Sequence, residues 1–188
     1  MSNLEIIASA IGVLAVWLTV RQNRWCWPIG LVMVLMYAWI FFEGKLYSNM
    51  LLQGVYAALQ LYGWWQWTRG GASHQGVQVS RLTSQGLMFS LTLGATGALV
   101  LGFLMASYTD ATAPWQDAAL SAFSLVAQVW MAQKRVECWP LWIVLDLLFV
   151  ALFLTHGMHL TAGLYALFTL LAISGWLTWQ RDRALVEA

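Results

Sequence analysis

Long apolar runs separated by short polar breaks dominate the chain, covering 4–20, 27–42, 46–67, 86–108, 118–133, 139–155 and 159–179. About 20 apolar residues wound as an α-helix match the hydrocarbon thickness of a bilayer, so each run reads as a transmembrane span, several of them near the short limit. The first run could be taken for a secretory leader. No Lys or Arg precedes it, however, and no small-residue cleavage pattern follows it, so it is expected to stay as a helix.

Composition agrees with seven spans. Of the 188 residues 61% are hydrophobic and 9% charged, against roughly 45–50% and about 25% in soluble domains. A soluble domain and a disordered chain are both excluded. Nucleic-acid binding is excluded too, because a net charge of +1 with 9 Lys and Arg offers no basic surface for phosphates. The positions of those cations set an orientation. Arg21, Arg24, Arg69, Arg81, Lys134, Arg135, Arg181 and Arg183 follow spans one, three, five and seven, whereas Lys45 falls on the opposite side with Glu43 and Asp110. Cytoplasmic loops carry the excess of Lys and Arg, which predicts the N-terminus out and the C-terminus in. Cys26 and Cys138 then face the compartment where thiols stay reduced. His156 and His159 stand three apart without a Cys or carboxylate at ligand spacing, so they read as interfacial residues and no metal is expected.

Sliding the chain on itself by 112 positions aligns Cys26-Trp27-Pro28 with Cys138-Trp139-Pro140, and Gly63, Trp64, Trp67 and Arg69 with Gly175, Trp176, Trp179 and Arg181. Two separate motifs agreeing at one offset mark a duplicated three-helix unit. Such a unit crosses the membrane an odd number of times, so a second copy in the same orientation needs one extra crossing, which the fourth helix supplies. The predicted fold is an all-α integral membrane protein of seven transmembrane helices in a 3+1+3 arrangement of two parallel repeats. Residues 1–69 form the first repeat, 70–114 the loop and linker helix, 115–181 the second repeat and 182–188 a cytoplasmic tail. Secondary transporters use parallel repeats with a midplane site between them, an analogy that favours transport. The prolines stand in the first turn of their helices, where helix initiation competes with a hinge role.

Polar side chains inside hydrocarbon usually face a bundle interior. Asn49, Gln53, Tyr56 and Gln60 recur at intervals of 4, 3 and 4 on one helical face that Gly63 and Trp67 continue. Asp117, Ser121, Ser124 and Gln128 repeat the pattern on the fifth helix. The sixth presents Trp142, Asp146, Phe149 and Phe153, and the seventh Thr161, Tyr165 and Phe168. Helix packing through amides and small hydroxyls accounts for Ser121, Ser124 and the glycines of the fourth helix. Three amides and a tyrosine on one face exceed what packing needs and point to a solute site. Asp146 has no Lys or Arg at matching depth; it could couple a proton, bond structurally or offset a cationic solute. Nine tryptophans, Trp25, Trp27, Trp64, Trp65, Trp67, Trp139, Trp142, Trp176 and Trp179, gather near the predicted cytoplasmic ends. An interfacial belt explains the group, while Trp67 and Trp142 could stack on a ring. No phosphate-binding loop, serine-hydrolase elbow or zinc-protease motif occurs, and an intramembrane enzyme would rest on Asp146 and scattered hydroxyls; neither enzyme activity nor a cofactor is expected.

The chain also resembles a known family. W-P-I-G from Trp27, K-L-Y from Lys45, N-M-L-L-Q from Asn49 and Y-G-W-W-Q-W from Tyr62 are similar to motifs of the PnuC family of bacterial vitamin transporters. So are E-C-W-P-L-W-I-V-L-D from Glu137, L-T-A-G-L-Y from Leu160 and S-G-W from Ser174. Cys138 departs from the Asn expected after the Glu, at a helix cap. The resemblance implies a fold like the SWEET sugar transporters and uptake of nicotinamide riboside across the bacterial inner membrane. It further implies facilitated diffusion, with phosphorylation inside the cell trapping the product. Asn49, Gln53, Gln60 and Gln128 would then bond the ribose hydroxyls and carboxamide, Tyr165 and other aromatics would pack on the ring, and Asp146 would supply negative potential. Tyr56, Trp67 and Trp142 complete the candidate site. Thiamine, riboflavin or a sugar are rival solutes, and a structural subunit docking through the glycines of the fourth helix is a reading of another class. The expected partners are the solute and the lipid bilayer, with a homo-oligomer left open.

Overall fold

The structure, a computed structural model, describes residues 3–43, 45, 47–71, 74–109 and 113–187; Asp110 and the expected span start at 46 lie outside them. Seven α-helices form among the described residues: α1 (Asn3–Val20), α2 (Cys26–Glu43), α3 (Tyr47–Arg69), α4 (Ser84–Tyr108), α5 (Pro114–Ala132), α6 (Cys138–Thr155) and α7 (His159–Glu187). Two ends differ from the apolar runs. Pro114 starts α5 four residues early, its missing N–H costing nothing at the first helical position. Past 179, α7 continues to Glu187, because charged residues that leave the hydrocarbon need not leave the helix.

The helices α2, α4, α6 and α7 are long and apolar enough to cross a membrane, and α1 contains a shorter apolar helix. Packing explains why α5 is more polar. Neighbours pack in the order α1, α2, α3, α5, α6, α7 and back to α1, which closes a ring of six; among the described residues α4 packs on α5 and on no other helix. With α3, α4 and α6 around it, α5 is shielded from lipid and buries Ser124 and Gln128 along with Ala118, Ala122 and Ala127. A helix so covered needs no apolar shell. Glycines let α4 approach: a β-carbon at Gly94 would sit 3.1 Å from both Phe123 and Val126, and one at Gly102 would meet the Trp115 ring.

Among the described residues the backbones of helices opposite one another in the ring stay apart. The seams α3–α5 and α7–α1 join the two three-helix units, and the offset of 112 maps one seam onto the other.

The repeat extends to individual hydrogen bonds. Gln22 and Lys134, the matching residues after α1 and α5, both take the left-handed conformation, with φ of 53° and 50°. The N–H of Asn23 reaches Leu18 O at 2.9 Å, and that of Arg135 reaches Trp130 O at 2.8 Å, so both helices end in the same cap. Both Cys26 and Cys138 then open the next helix and are buried and free.

Four tryptophans close the ring at this end. Trp27 lies edge-on to Trp67 at 5.4 Å between centroids, Trp139 edge-on to Trp179 at 5.2 Å, and Trp67 meets Trp179 across the ring at 5.9 Å. Gly63 and Gly175 make room, since a β-carbon at either would collide with the Trp27 or Trp139 ring. The Trp67 indole N–H donates to Met131 O at 3.3 Å, and that of Trp179 to Val20 O at 3.2 Å. The nine tryptophans therefore divide: Trp25 and Trp65 are over half exposed, as a belt requires, while these four are core. The ends of α1, α3, α5 and α7 meet here, so the excess of Lys and Arg marks this end as cytoplasmic.

Candidate functional site

Above the tryptophans, the ring interior takes one side chain set from each half. Gln60 and Gln128 are buried, and the Gln60 amide lies over Gly30, where a β-carbon would stand 2.8 Å from Nε2. The mates of Gly30 and Gln60 in the second half are Trp142 and Ala172, so the large side chain has moved from α3 to α6. Trp142 is packed among core residues, and its indole N–H is buried without an acceptor among the described residues. The Tyr56 hydroxyl bonds Ser124 Oγ across the α3–α5 seam, and that oxygen in turn donates to Ser121 O at 2.9 Å. Gln53 is half-buried and Asn49 exposed near the outer end of α3.

Asp146 is 4% exposed, with neither a hydrogen bond nor an ion pair among the described residues. It shares a face of α6 with Phe149 and Phe153, against which Tyr165 of α7 packs. Tyr165 is enclosed by Phe149 at 4.8 Å, Phe153 at 5.2 Å and Phe168 at 5.7 Å between ring centroids. The described residues thus bury one carboxylate and two amides and form one aromatic box around Tyr165. Sequence reasoning missed Tyr37, whose hydroxyl lies 3.3 Å from Ser9 Oγ. The repeat could have found it: Tyr37 and Phe41 stack at 6.2 Å as their mates Phe149 and Phe153 do at 6.0 Å.

Trp67 belongs to the cytoplasmic closure more than to the interior. Lys134 Nζ lies 4.6 Å from its ring centroid and donates to Gln22 Oε1 at 3.3 Å, while Gln22 Nε2 donates to Asp182 Oδ2 at 2.6 Å. This chain ties α1 of the first unit to the second. Burial holds the Lys134 pKa below the usual lysine value, against the opposing influence of Cys26 and Asp182.

A duplicated helical ring with polar groups gathered between its halves defines a polytopic membrane transporter. Residues 2–181 match the model of the family described as nicotinamide mononucleotide transporter. The chain belongs to that family, the PnuC family to which its motifs bear resemblance, and it is a multi-pass inner-membrane transporter and not an enzyme. It is 25% identical over 211 residues to the nicotinamide riboside transporter PnuC of Escherichia coli, covering 97% of this chain and 88% of that one. To the riboflavin/roseoflavin transporter RibM of Streptomyces davaonensis it is 27% identical over 187 residues, covering 95% and 86%. The crystal structure of the vitamin B3 transporter PnuC superposes with a TM-score of 0.75 at 24% identity, covering 95% of this chain and 80% of that one, and so shares its fold.

Proposed function

We propose that the chain carries nicotinamide riboside across the inner membrane by facilitated diffusion, with cytoplasmic phosphorylation trapping the vitamin. The observation that carries this reading is the buried carboxylate of Asp146, the one such group among the described residues, on the helix face that carries the aromatic box around Tyr165. A cationic pyridinium ring satisfies both at once: the box packs on its faces and the carboxylate balances its charge. Gln53, Gln60 and Gln128, with Asn49 nearer the outer mouth, offer donors and acceptors for the ribose and carboxamide, and the unpaired indole N–H of Trp142 is a further donor. Tyr56 positions this face through Ser124. The likeness to RibM favours riboflavin as the second reading, although a neutral isoalloxazine would leave Asp146 without a counter-charge.

Transport proceeds by alternating access, the two three-helix units rocking at the α3–α5 and α7–α1 seams. Trp67, Trp179 and the Lys134–Gln22–Asp182 chain form the cytoplasmic closure that must part. Calorimetric titration of purified protein with nicotinamide riboside, its 5′-phosphate, thiamine, riboflavin and glucose tests the assignment. Selective binding of the riboside is expected; selective binding of any other solute overturns it.

A further inference from the structure

The two seams between the units are equivalent by the repeat but differ in what fills their cytoplasmic ends. At the α3–α5 seam, Tyr62 accepts at its hydroxyl from Gln66 Nε2 at 2.6 Å and from Gln133 Nε2 at 3.4 Å. The three side chains satisfy one another and close the seam. Their mates at the α1–α7 seam are Ser174, Thr178 and Arg21: two small hydroxyls and a cation replace a tyrosine and two amides. Here a groove of about 520 Å³ remains, lined by Trp17, Val20, Arg21, Leu171, Ser174 and Thr178.

The Arg21 guanidinium stands 4.5 Å from the centroid of the Trp17 ring, which holds it over the groove mouth. Ser174 and Thr178 have no hydrogen-bond partner among the described residues, and no carboxylate lines the groove. The nearest acid on α7, Asp182, is taken by Gln22. Arg21 immediately follows the end of α1, at the level of the cytoplasmic headgroups, and Trp17 beside it is an interfacial residue type. Toward the midplane the same two helices expose Leu14 and Leu167. One cation, two free hydroxyls and an apolar track below them fit a single kind of molecule.

We infer that the α1–α7 seam binds an anionic phospholipid of the inner leaflet, its phosphate on Arg21, Ser174 and Thr178 and an acyl chain along Leu14 and Leu167. A soluble phosphate would use the polar groups and leave the apolar track idle. The lipid wedges one of the two seams at which the repeats meet, whereas the other is closed by protein alone.

Native mass spectrometry of the purified protein in detergent tests this, titrating phosphatidylglycerol, phosphatidylcholine and inorganic phosphate separately. Phosphatidylglycerol should bind more tightly than phosphatidylcholine. Arg21→Gln should weaken it about fivefold, the worth of one basic residue at an anionic surface, while Arg24→Gln leaves it unchanged. Thr178→Val keeps the charge and should also weaken binding, so the inference stays testable if Arg21→Gln misfolds. Equal binding of the two lipids, or an unchanged affinity in both Arg21→Gln and Thr178→Val, would overturn the site. Displacement of phosphatidylglycerol by inorganic phosphate at equal concentration would overturn the lipid as its occupant.

Discussion

Asp146→Asn separates function from stability. The side chain is 4% exposed and has neither hydrogen bond nor ion pair among the described residues, so no neighbouring group competes with a cationic solute for it. At a separation of about 4–6 Å and an effective dielectric of about 20, attraction to a pyridinium charge comes to about 3–4 kcal/mol. Desolvation of the solute returns part of that, leaving a loss of ~2 kcal/mol, or ~30-fold in Kd, when the charge is removed without changing shape. Stability should move the other way, because an ionised Asp at mid-helix costs ~2.5–3.5 kcal/mol on insertion scales. The assay is calorimetric titration with nicotinamide riboside and with its dihydropyridine form, which has the same ribose and carboxamide but no ring charge. The variant should lose affinity for the cation and keep its affinity for the reduced form, with an unchanged or higher Tm. Equal losses for both would make Asp146 a packing residue, and no loss for either would remove charge compensation from the mechanism.

Further outcomes follow from other parts of the ring. Gln53→Ala should weaken substrate binding several-fold, and wild-type affinity by titration would make the amide stripe a packing surface. Gly175→Ala should lower stability by ~1–3 kcal/mol through collision with the Trp139 ring, read as a lower Tm in detergent, with an equal effect at Gly63. Tyr56→Phe and Ser124→Ala should be non-additive in stability, with a coupling of ~1 kcal/mol measured in a double-mutant cycle. Lys134 has its pKa lowered by burial, so in the window below the usual 10.5 the unfolded chain binds more protons than the folded one. Stability of the wild type should therefore rise relative to Lys134→Met as pH increases toward that value, and parallel thermal melts across the pH range would contradict this.

The architecture was legible because two independent signals converged. Apolar runs predicted seven helices, and the offset of 112 predicted their symmetry; the structure adds the ring order and places α4 outside it. The runs of α3 and α5 are less apolar than those of α2, α4, α6 and α7, since they include polar residues such as Gln60, Ser124 and Gln128 that are buried. The site was harder to read. Helical spacing singled out Gln60, Gln128 and Asp146, which are buried, but it could not tell that Trp67 faces Trp179 and Lys134, because that depends on which helices meet across the ring. Asn49 shares a face with Gln60 yet is exposed, since a stripe over three turns runs from the core out to the mouth. Tyr37 went unnoticed in an apolar run where its hydroxyl has no polar companion one turn away.

The glycine notches have a consequence for descent. Each indole of Trp27 and Trp139 occupies space that only a glycine on the next helix leaves, so neither partner can drift without a matching change in the other. A position coupled in this way resists divergence more than one that merely faces lipid. After duplication the two halves were free to specialise, and they diverged at matched positions along the helices: Val34 against Asp146, Gln53 against Tyr165, Gly30 against Trp142. What they kept in common is the hardware that ends one helix, starts the next and seats an indole, a fossil of the ancestral unit preserved by steric necessity.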